Sequence, residues 1–215
     1  MRHIPGTPDH ELEFVGGALC LDFTNTLGGT RERPTHDHVR TYADLVAFAR
    51  AALAIAPADA KRLVAEAERH PNVAMEMYRR GVALREAVSR AFGSIAAGHA
   101  PDDADLARIG EEAADAQAHA RLVRGRSGYE WSWSNDDPSL ARPLWAIARS
   151  AADLLIDGSD RERVRECSSP TCTWLFVDRS RNHSRRWCDM NDCGNRAKQR
   201  RLRQRRGPSP SRAAP

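Results

Sequence analysis

Four cysteines near the C-terminal end of the chain have the spacing of metal ligands. Cys167 and Cys172 are separated by four residues, Cys188 and Cys193 are also separated by four, and 15 residues lie between the pairs. Structural zinc takes four tetrahedral ligands and binds thiolates well. Two close pairs joined by a short insert meet that geometry with little loop-closure cost. We therefore predict that these four cysteines bind one structural zinc ion.

Compartment decides between a metal site and a disulfide. No apolar run approaches the roughly 18 residues of a membrane span, and the first residues lack the apolar core of a secretion signal. We expect a cytoplasmic protein with no membrane partner, in which thiols stay reduced. The alternatives are free thiols, a cytosolic disulfide, or His183 in place of one cysteine. The fifth cysteine, Cys20, is expected to be a small core residue.

Positive charge is concentrated beside the cysteines. Residues 161–206 carry a net charge of +9, whereas residues 1–160 carry −6. Of the 14 basic residues in 161–206, 13 are arginines, whose planar fork suits bidentate contact with phosphate or guanine. This asymmetry indicates a polyanionic partner for the C-terminal end only.

The sequence after Gly194 predicts a basic helix that continues to residue 206. Its arginines repel one another at four-residue spacing, and contact with a phosphate backbone would relieve that repulsion and release counterions. Asn195 and Arg196, in the first turn, are predicted base contacts, although Asn195 would also suit a helix cap. The candidate nucleic-acid contacts are Arg179, Arg181, Arg185, Arg186, Asn195, Arg196, Lys198, Arg200, Arg201, Arg203 and Arg205. A solvated basic helix without a polyanionic partner is the alternative.

The segments around the cysteines predict how the metal ligands are positioned. TWLFVD at 173–178 and HSRRWC at 183–188 are expected to pair as a hairpin, and the last cysteine precedes the basic helix. This order is treble-clef-like. So few apolar residues could not stabilise the module alone, and the metal would be required for its folding.

The remainder of the chain predicts a mainly helical α+β body. ALCLDFTNTL (18–27) is read as a strand ending at Gly28-Gly29, with helices beginning near Thr41, Pro57, Pro71 and Pro101 and another over 137–157. Two short strands flank Gly125 and Gly128, and their tryptophans, Trp131 and Trp133, are expected in the core. The predicted organisation is a flexible N-terminus (1–12), the body (13–158), a zinc module (159–206) and a disordered tail (207–215).

Polar residues at the end of the predicted first strand are candidate ligand contacts. Asp22, Asn25 and Thr26 precede Gly28-Gly29, where capping of a turn is the alternative role. The chain has no G-x-S-x-G, phosphate loop, H-E-x-x-H or dinucleotide motif. A catalytic zinc also needs an open coordination position, which four cysteines would close. The sequence therefore predicts a binding protein and no enzyme.

Two resemblances extend this interpretation. Cys193-Gly194-Asn195-Arg196 is the signature of the CGNR zinc finger, and CSSPTCTWLFVDRSRNHSRRWC resembles the first half of that finger. GGALCLDFTNTL, YEWSW and LARPLWAIARSAADLL resemble the ABATE domain. The resemblance implies a stress-induced transcription regulator with a zinc-binding, DNA-binding C-terminus.

Such a regulator needs an input, so we expect the body to sense a small-molecule effector, to form a homodimer, or both. Two other classes of function remain open at this point. One is an RNA-associated accessory protein, and the other is a zinc-stabilised protein-interaction adaptor.

Overall fold

The computed structural model describes residues 12–30, 32–125, 128–133 and 139–206. The predicted flexible N-terminus, apart from Leu12, and the predicted disordered tail lie outside this range. The helices are α1 (Leu19–Thr24), α2 (Tyr42–Ala51), α3 (Pro57–Arg69), α4 (Pro71–Ala96), α5 (Asp103–His119), α6 (Arg142–Ile156), α7 (Gly158–Arg161) and α8 (Asn195–Arg206). The strands are β1 (Leu27–Gly29), β2 (Pro34–Asp37), β3 (Ala120–Gly125), β4 (Gly128–Trp133), β5 (Val164–Glu166) and β6 (Leu175–Val177).

The helices of the body enclose one main apolar core. It is built from α1, α2, α4 and α6, with Phe23, Phe48, Phe92 and Leu144 fully buried. Trp145, on another face of α6, packs with α5 in a smaller cluster. Helices with small sheets, followed by a cysteine cluster, confirm the predicted α+β class.

The predicted strand at 18–27 is wrong, because this segment forms helix α1. The alternation of Leu19, Leu21 and Phe23 resembled a strand, but the residues that are buried are Cys20, Leu21, Phe23 and Thr24. These positions repeat at the three- and four-residue spacing of a helix. The strand in this part of the chain is limited to Leu27–Gly29, which pairs antiparallel with β2.

Proline marks the starts of α3 and α4, as the sequence predicted. α3 begins at Pro57 and α4 at Pro71, because a missing N–H costs nothing in the first helical turn. α5 begins at Asp103. Asp102 caps this helix, because its carboxylate accepts a hydrogen bond from the Ala104 amide. The helix predicted over 137–157 spans Arg142–Ile156, and residues 134–138 lie outside the described range.

The described residues contain three separate two-stranded antiparallel sheets. The predicted hairpin around Gly125 and Gly128 is confirmed as β3–β4. Trp133 is half-buried, and its Nε1 donates to the Ala116 carbonyl at 2.8 Å. Trp131 is 44% exposed beside Arg149, so the prediction that it lies in the core is wrong.

The hairpin predicted between the two cysteine pairs is also wrong. β6, which follows Cys172, pairs antiparallel with β5, which precedes Cys167. This pairing buries Val164 opposite Val177 and adds both side chains to the main core of the body. The HSRRWC segment makes one backbone hydrogen bond to the loop that carries Cys167 and Cys172, in which the Ser168 amide donates to the Arg186 carbonyl at 2.8 Å.

The zinc module is packed against the body through specific hydrogen bonds. The Asn25 side chain donates to the Leu175 carbonyl and accepts from the Leu175 amide, each at 2.9 Å. Trp174 Nε1 donates to the Leu27 carbonyl at 3.0 Å. The Val177 amide donates to the Gly16 carbonyl at 2.8 Å. Together these bonds fix the module in one orientation on α1 and β1.

Candidate metal centre and nucleic-acid interface

The four predicted ligands come together in one buried cluster. The sulfurs of Cys167, Cys172, Cys188 and Cys193 all lie within 4.8 Å of one another, and each cysteine is at most 7% exposed. The Cys172–Cys188 and Cys188–Cys193 sulfur distances are 3.8 and 3.6 Å. Sulfurs placed tetrahedrally at about 2.3 Å from zinc would lie about 3.8 Å apart. The donor set and its spacing therefore fit one zinc ion.

The first ligand pair lies on the loop between β5 and β6. The Cys167 amide donates to the Trp174 carbonyl at 2.9 Å, closing this loop next to the sheet. The Cys172 amide donates to the Ser169 carbonyl at 3.1 Å, which turns the second sulfur toward the first. Because the body holds both strands, this half of the site is positioned by the fold itself.

The second ligand pair lies where the chain enters α8. Cys193 belongs to a single π-helical turn, Met190–Gly194, that runs directly into α8. The Asp189 carboxylate caps this turn by accepting from the Asn191 and Asp192 amides. The last ligand therefore sits at the start of the basic helix, as the treble-clef-like order predicted.

The sulfurs cannot all ionise together without a cation. Hydrogen bonding to the Cys167 sulfur raises the pKa of Cys172 and of Cys188, and the other neighbouring sulfurs also raise that of Cys188. A divalent ion removes this penalty by binding four thiolates at once. In the described part of the chain the cluster includes neither His183 nor Cys20. Cys20 lies in the body core, where burial raises the pKa of its thiol to about 12.

Arg185, a predicted nucleic-acid contact, is engaged inside the protein. Its Nη2 donates to the Val15 carbonyl at 3.1 Å and also to the Cys188 carbonyl, and its Nε donates to the Trp187 carbonyl at 3.0 Å. Its guanidinium carbon lies 4.2 Å from the centre of the Phe176 ring. Arg185 therefore joins the second cysteine pair to the body, with its donors directed inward.

Arg196 and Asn195, the predicted base contacts, both contact the turn before them. Arg196 Nη2 lies 2.7 Å from the Asp192 carboxylate and 3.0 Å from the Cys193 sulfur. Such a donor to sulfur orients a metal ligand and disperses its charge. Asn195 Nδ2 donates to the Asn191 carbonyl at 3.0 Å, which ties the first residue of α8 to the π-helical turn. Both side chains are nevertheless exposed on one side.

The other candidate contacts differ in how far they are engaged. Arg179 forms an ion pair with Asp160 at 2.5 Å, and Arg186 lies over the Trp187 ring. Arg181 is exposed. On α8, Lys198, Arg201 and Arg203 are exposed and Arg200 is half-buried; none of the four forms an ion pair within the described ranges. The side chain of Arg205 lies outside the described part of the structure.

The three candidate ligand contacts bond to the protein itself. Asn25 is occupied by Leu175, and the Thr26 hydroxyl donates to the Phe23 carbonyl at 2.7 Å and accepts from Arg85 at 3.0 Å. Asp22 accepts from the Gly16 amide at 2.7 Å. Burial raises the pKa of Asp22 to about 6. Of the three, only Asp22 lines a surface groove.

Two structural roles at this site were missed in the sequence. Asp189 stands four residues before Cys193, and an Asp just before a helical segment is a recognisable capping signal. Arg185 had no such signal, because its partners Val15 and Phe176 are distant in the chain and become neighbours only in the fold.

The geometry defines a protein whose structural four-cysteine zinc site is built against a helical body. Comparison with known families places the chain more narrowly. Residues 17–158 match the ABATE domain, described as "Putative stress-induced transcription regulator", and residues 163–206 match the CGNR zinc finger. The chain belongs to the ABATE family, and it carries one structural zinc in its CGNR finger. No curated protein matches it.

The helices of the described residues were also compared with the length and hydropathy of a membrane span. None of these helices is both long enough and apolar enough to cross a membrane.

Proposed function

We propose that this protein is a cytoplasmic, non-enzymatic transcription regulator that binds duplex DNA through α8 and the neighbouring arginines of the zinc module. The observation that carries the proposal is the unpaired positive charge of α8. Lys198, Arg200, Arg201 and Arg203 have no carboxylate partner in the described ranges. In the body, by contrast, Arg80, Arg85 and Arg90 are each paired with a carboxylate.

The zinc site supports this use of the helix. An isolated helix with this much like charge would fray, because residues four apart repel one another. Zinc fixes Cys193 directly before α8, and Asp189 and Asp192 place negative charge at the helix start, where it is favourable. The metal therefore supplies a stable beginning for a helix that phosphate would stabilise along its length.

Salt dependence of binding to a fluorescent DNA duplex tests the proposal. Log affinity against log salt should have a slope of several units, and Arg203→Ala or Arg201→Ala should reduce that slope by about one each. Arg79→Ala, an exposed arginine on α4 of the body, is the matched control and should leave the slope unchanged.

Other results would assign the helix a different partner. A shallow slope with duplex DNA and a steep slope with structured RNA would favour the RNA-associated protein. Absence of affinity for both would leave the protein-interaction adaptor. Equal effects of Arg79→Ala and Arg203→Ala would show that only the overall charge of the chain matters.

A further inference from the structure

A groove lies between the body and the turn of the zinc module that precedes α8. It has a volume of about 850 Å³, and residues 12–19, the end of α2 and the turn after Asp189 line it. This volume lies within the range of small-molecule sites, about 300–1,000 Å³. Body and zinc module both contribute walls, so a molecule in the groove would contact both.

The groove displays apolar side chains that the fold buries only in part. Phe14 is 40% exposed and Leu53 is 71% exposed at its edge. Leu53 also has a φ of 61°, in the left-handed region that normally takes glycine after a helix. For a leucine this conformation is unfavourable, and little burial of the side chain compensates it. Exposed apolar groups at the edge of a groove mark a surface suited to an apolar partner.

Carboxylates surround the same groove. Glu13, Asp22, Asp189 and Asp192 all line it. Asp189 caps a turn and Asp192 pairs with Arg196, but Glu13 has no hydrogen bond or ion pair within the described residues. Glu13 therefore lies without a partner beside three other carboxylates, and a cation next to it would reduce the repulsion among them.

We propose that the groove binds an organic cation with an apolar body, such as an alkylammonium compound. The apolar part would cover Phe14 and Leu53, and the positive head would lie among the carboxylates near Glu13. Anionic molecules of the same shape would be repelled by the four carboxylates. The charge pattern and the exposed apolar surface both select this class of ligand.

The position of the groove also gives the ligand a route to the zinc module. A bound cation would contact the Asp189–Asp192 turn, which caps the π-helical turn and orients Arg196 on the Cys193 sulfur. Binding should therefore stabilise the start of α8. The role of the cation as an effector of regulation rests on the proposed function, whereas its binding does not.

Calorimetric titration of the zinc-loaded full chain tests the binding. Dodecyltrimethylammonium below its micelle concentration should bind at one site, and dodecyl sulfate should not bind there. Glu13→Gln and Leu53→Gly should each weaken the affinity about tenfold, through loss of one charge contact and of one apolar contact. Glycine suits a φ of 61°, so Leu53→Gly should fold at least as stably as the parent.

Matched variants separate this site from general surfactant adsorption. Leu122→Ser removes another exposed leucine and Glu162→Gln another exposed carboxylate, and both should leave the affinity unchanged. Equal binding of both surfactants, or unchanged affinity in Leu53→Gly, would overturn the proposed site.

Hydrogen exchange tests the route to the zinc module separately from DNA binding. Residues 189–200 should gain protection when the alkylammonium compound binds. Binding without that gain would remove the effector role and leave the site. Failure of DNA binding alone would leave both the site and the coupling to α8 intact.

Discussion

The two ends of the molecule are stabilised by different means. The body encloses large apolar side chains from four helices, among them Phe23, Phe48 and Phe92. Within the described residues, the zinc module has Phe176 as the one fully buried large side chain around its four cysteines, with Trp174 and Trp187 half-buried beside it. A cluster of that size supplies too little apolar burial to fold unaided, so the metal must contribute most of its stability.

The boundary between these regimes does not coincide with the start of the zinc module. β5 and β6 belong to the module by sequence, yet Val164, Leu175 and Val177 lie in the main core of the body. Dependence on zinc should therefore begin after β6 and extend through α8. Body packing holds the first ligand pair, and the metal holds the second.

Removal of zinc should produce the largest effect and would test this boundary directly. In Cys193→Ser, residues 186–206 should lose hydrogen-exchange protection while β5 and β6 keep theirs, since structural zinc contributes about 10 kcal/mol or more. Metal analysis should find one zinc in the parent and less than half in the variant. Cys20→Ala, which changes a core cysteine, should retain the zinc. Uniform loss of protection from 164 to 206 would contradict the boundary.

Loss of the Asn25 side chain should break the attachment of the module to the body. In Asn25→Ala, the Leu175 amide and carbonyl stay buried without partners, which should reduce the free energy of unfolding by about 3 kcal/mol. Urea denaturation measures the difference. Asn72→Ala, at an exposed position of α4, should change the stability by a few tenths of a kcal/mol. Similar small effects for both variants would mean that Asn25 does not hold the joint.

Arg185→Lys should separate structural from nucleic-acid roles among the arginines. Lysine has no planar fork, so its contacts with Val15, Trp187 and Cys188 should be partly lost, at a cost of about 2 kcal/mol in unfolding free energy. DNA affinity should be unchanged, because the Arg185 donors are directed into the protein and not toward a nucleic acid. Arg186→Lys, at an exposed position, should leave stability unchanged. A stable Arg185→Lys with weakened DNA binding would return Arg185 to the interface.

The pH dependence of Asp22 should give the smallest effect. Its folded pKa, about 6, exceeds the ordinary value of 3.8 because the carboxyl is buried. The stability that the protonated form contributes is therefore full below pH 3.8 and lost as pH rises through 6. Asp22→Asn should exceed the parent by about 1–2 kcal/mol above pH 7, with the difference falling toward zero near pH 4. Thermal unfolding across this range measures it; a constant difference would contradict the assignment.

Local signals in the sequence predicted the starts of α3 and α4 and the zinc ligands. Pro57 and Pro71 act within one helical turn, and the four cysteines are defined by their own spacing. The wrong predictions concern choices that only long-range packing makes. α1 was predicted as a strand because three of its apolar residues alternate. β6 was predicted to pair with HSRRWC, which follows it closely in the chain, but it pairs with β5.

The same distinction applies to the candidate site. Charge pattern identified the basic region, but sequence alone could not tell which arginines were already engaged. Arg185 is held by Val15 and Phe176, whereas Arg201 is free of carboxylates within the described ranges. Contacts between residues so far apart in the chain produce no periodic pattern in the sequence, so they could not be predicted from it.

The placement of β5 and β6 in the body core limits how this zinc module could be transplanted. A fragment beginning at residue 163 would expose Val164, Leu175 and Val177 to solvent. Its Leu175 amide and carbonyl would also lose the hydrogen bonds that Asn25 now makes with them. Grafted onto another protein, such a fragment should aggregate even when loaded with metal. In this molecule the CGNR finger as the family model bounds it, residues 163–206, is therefore not a part that could be removed from the body intact.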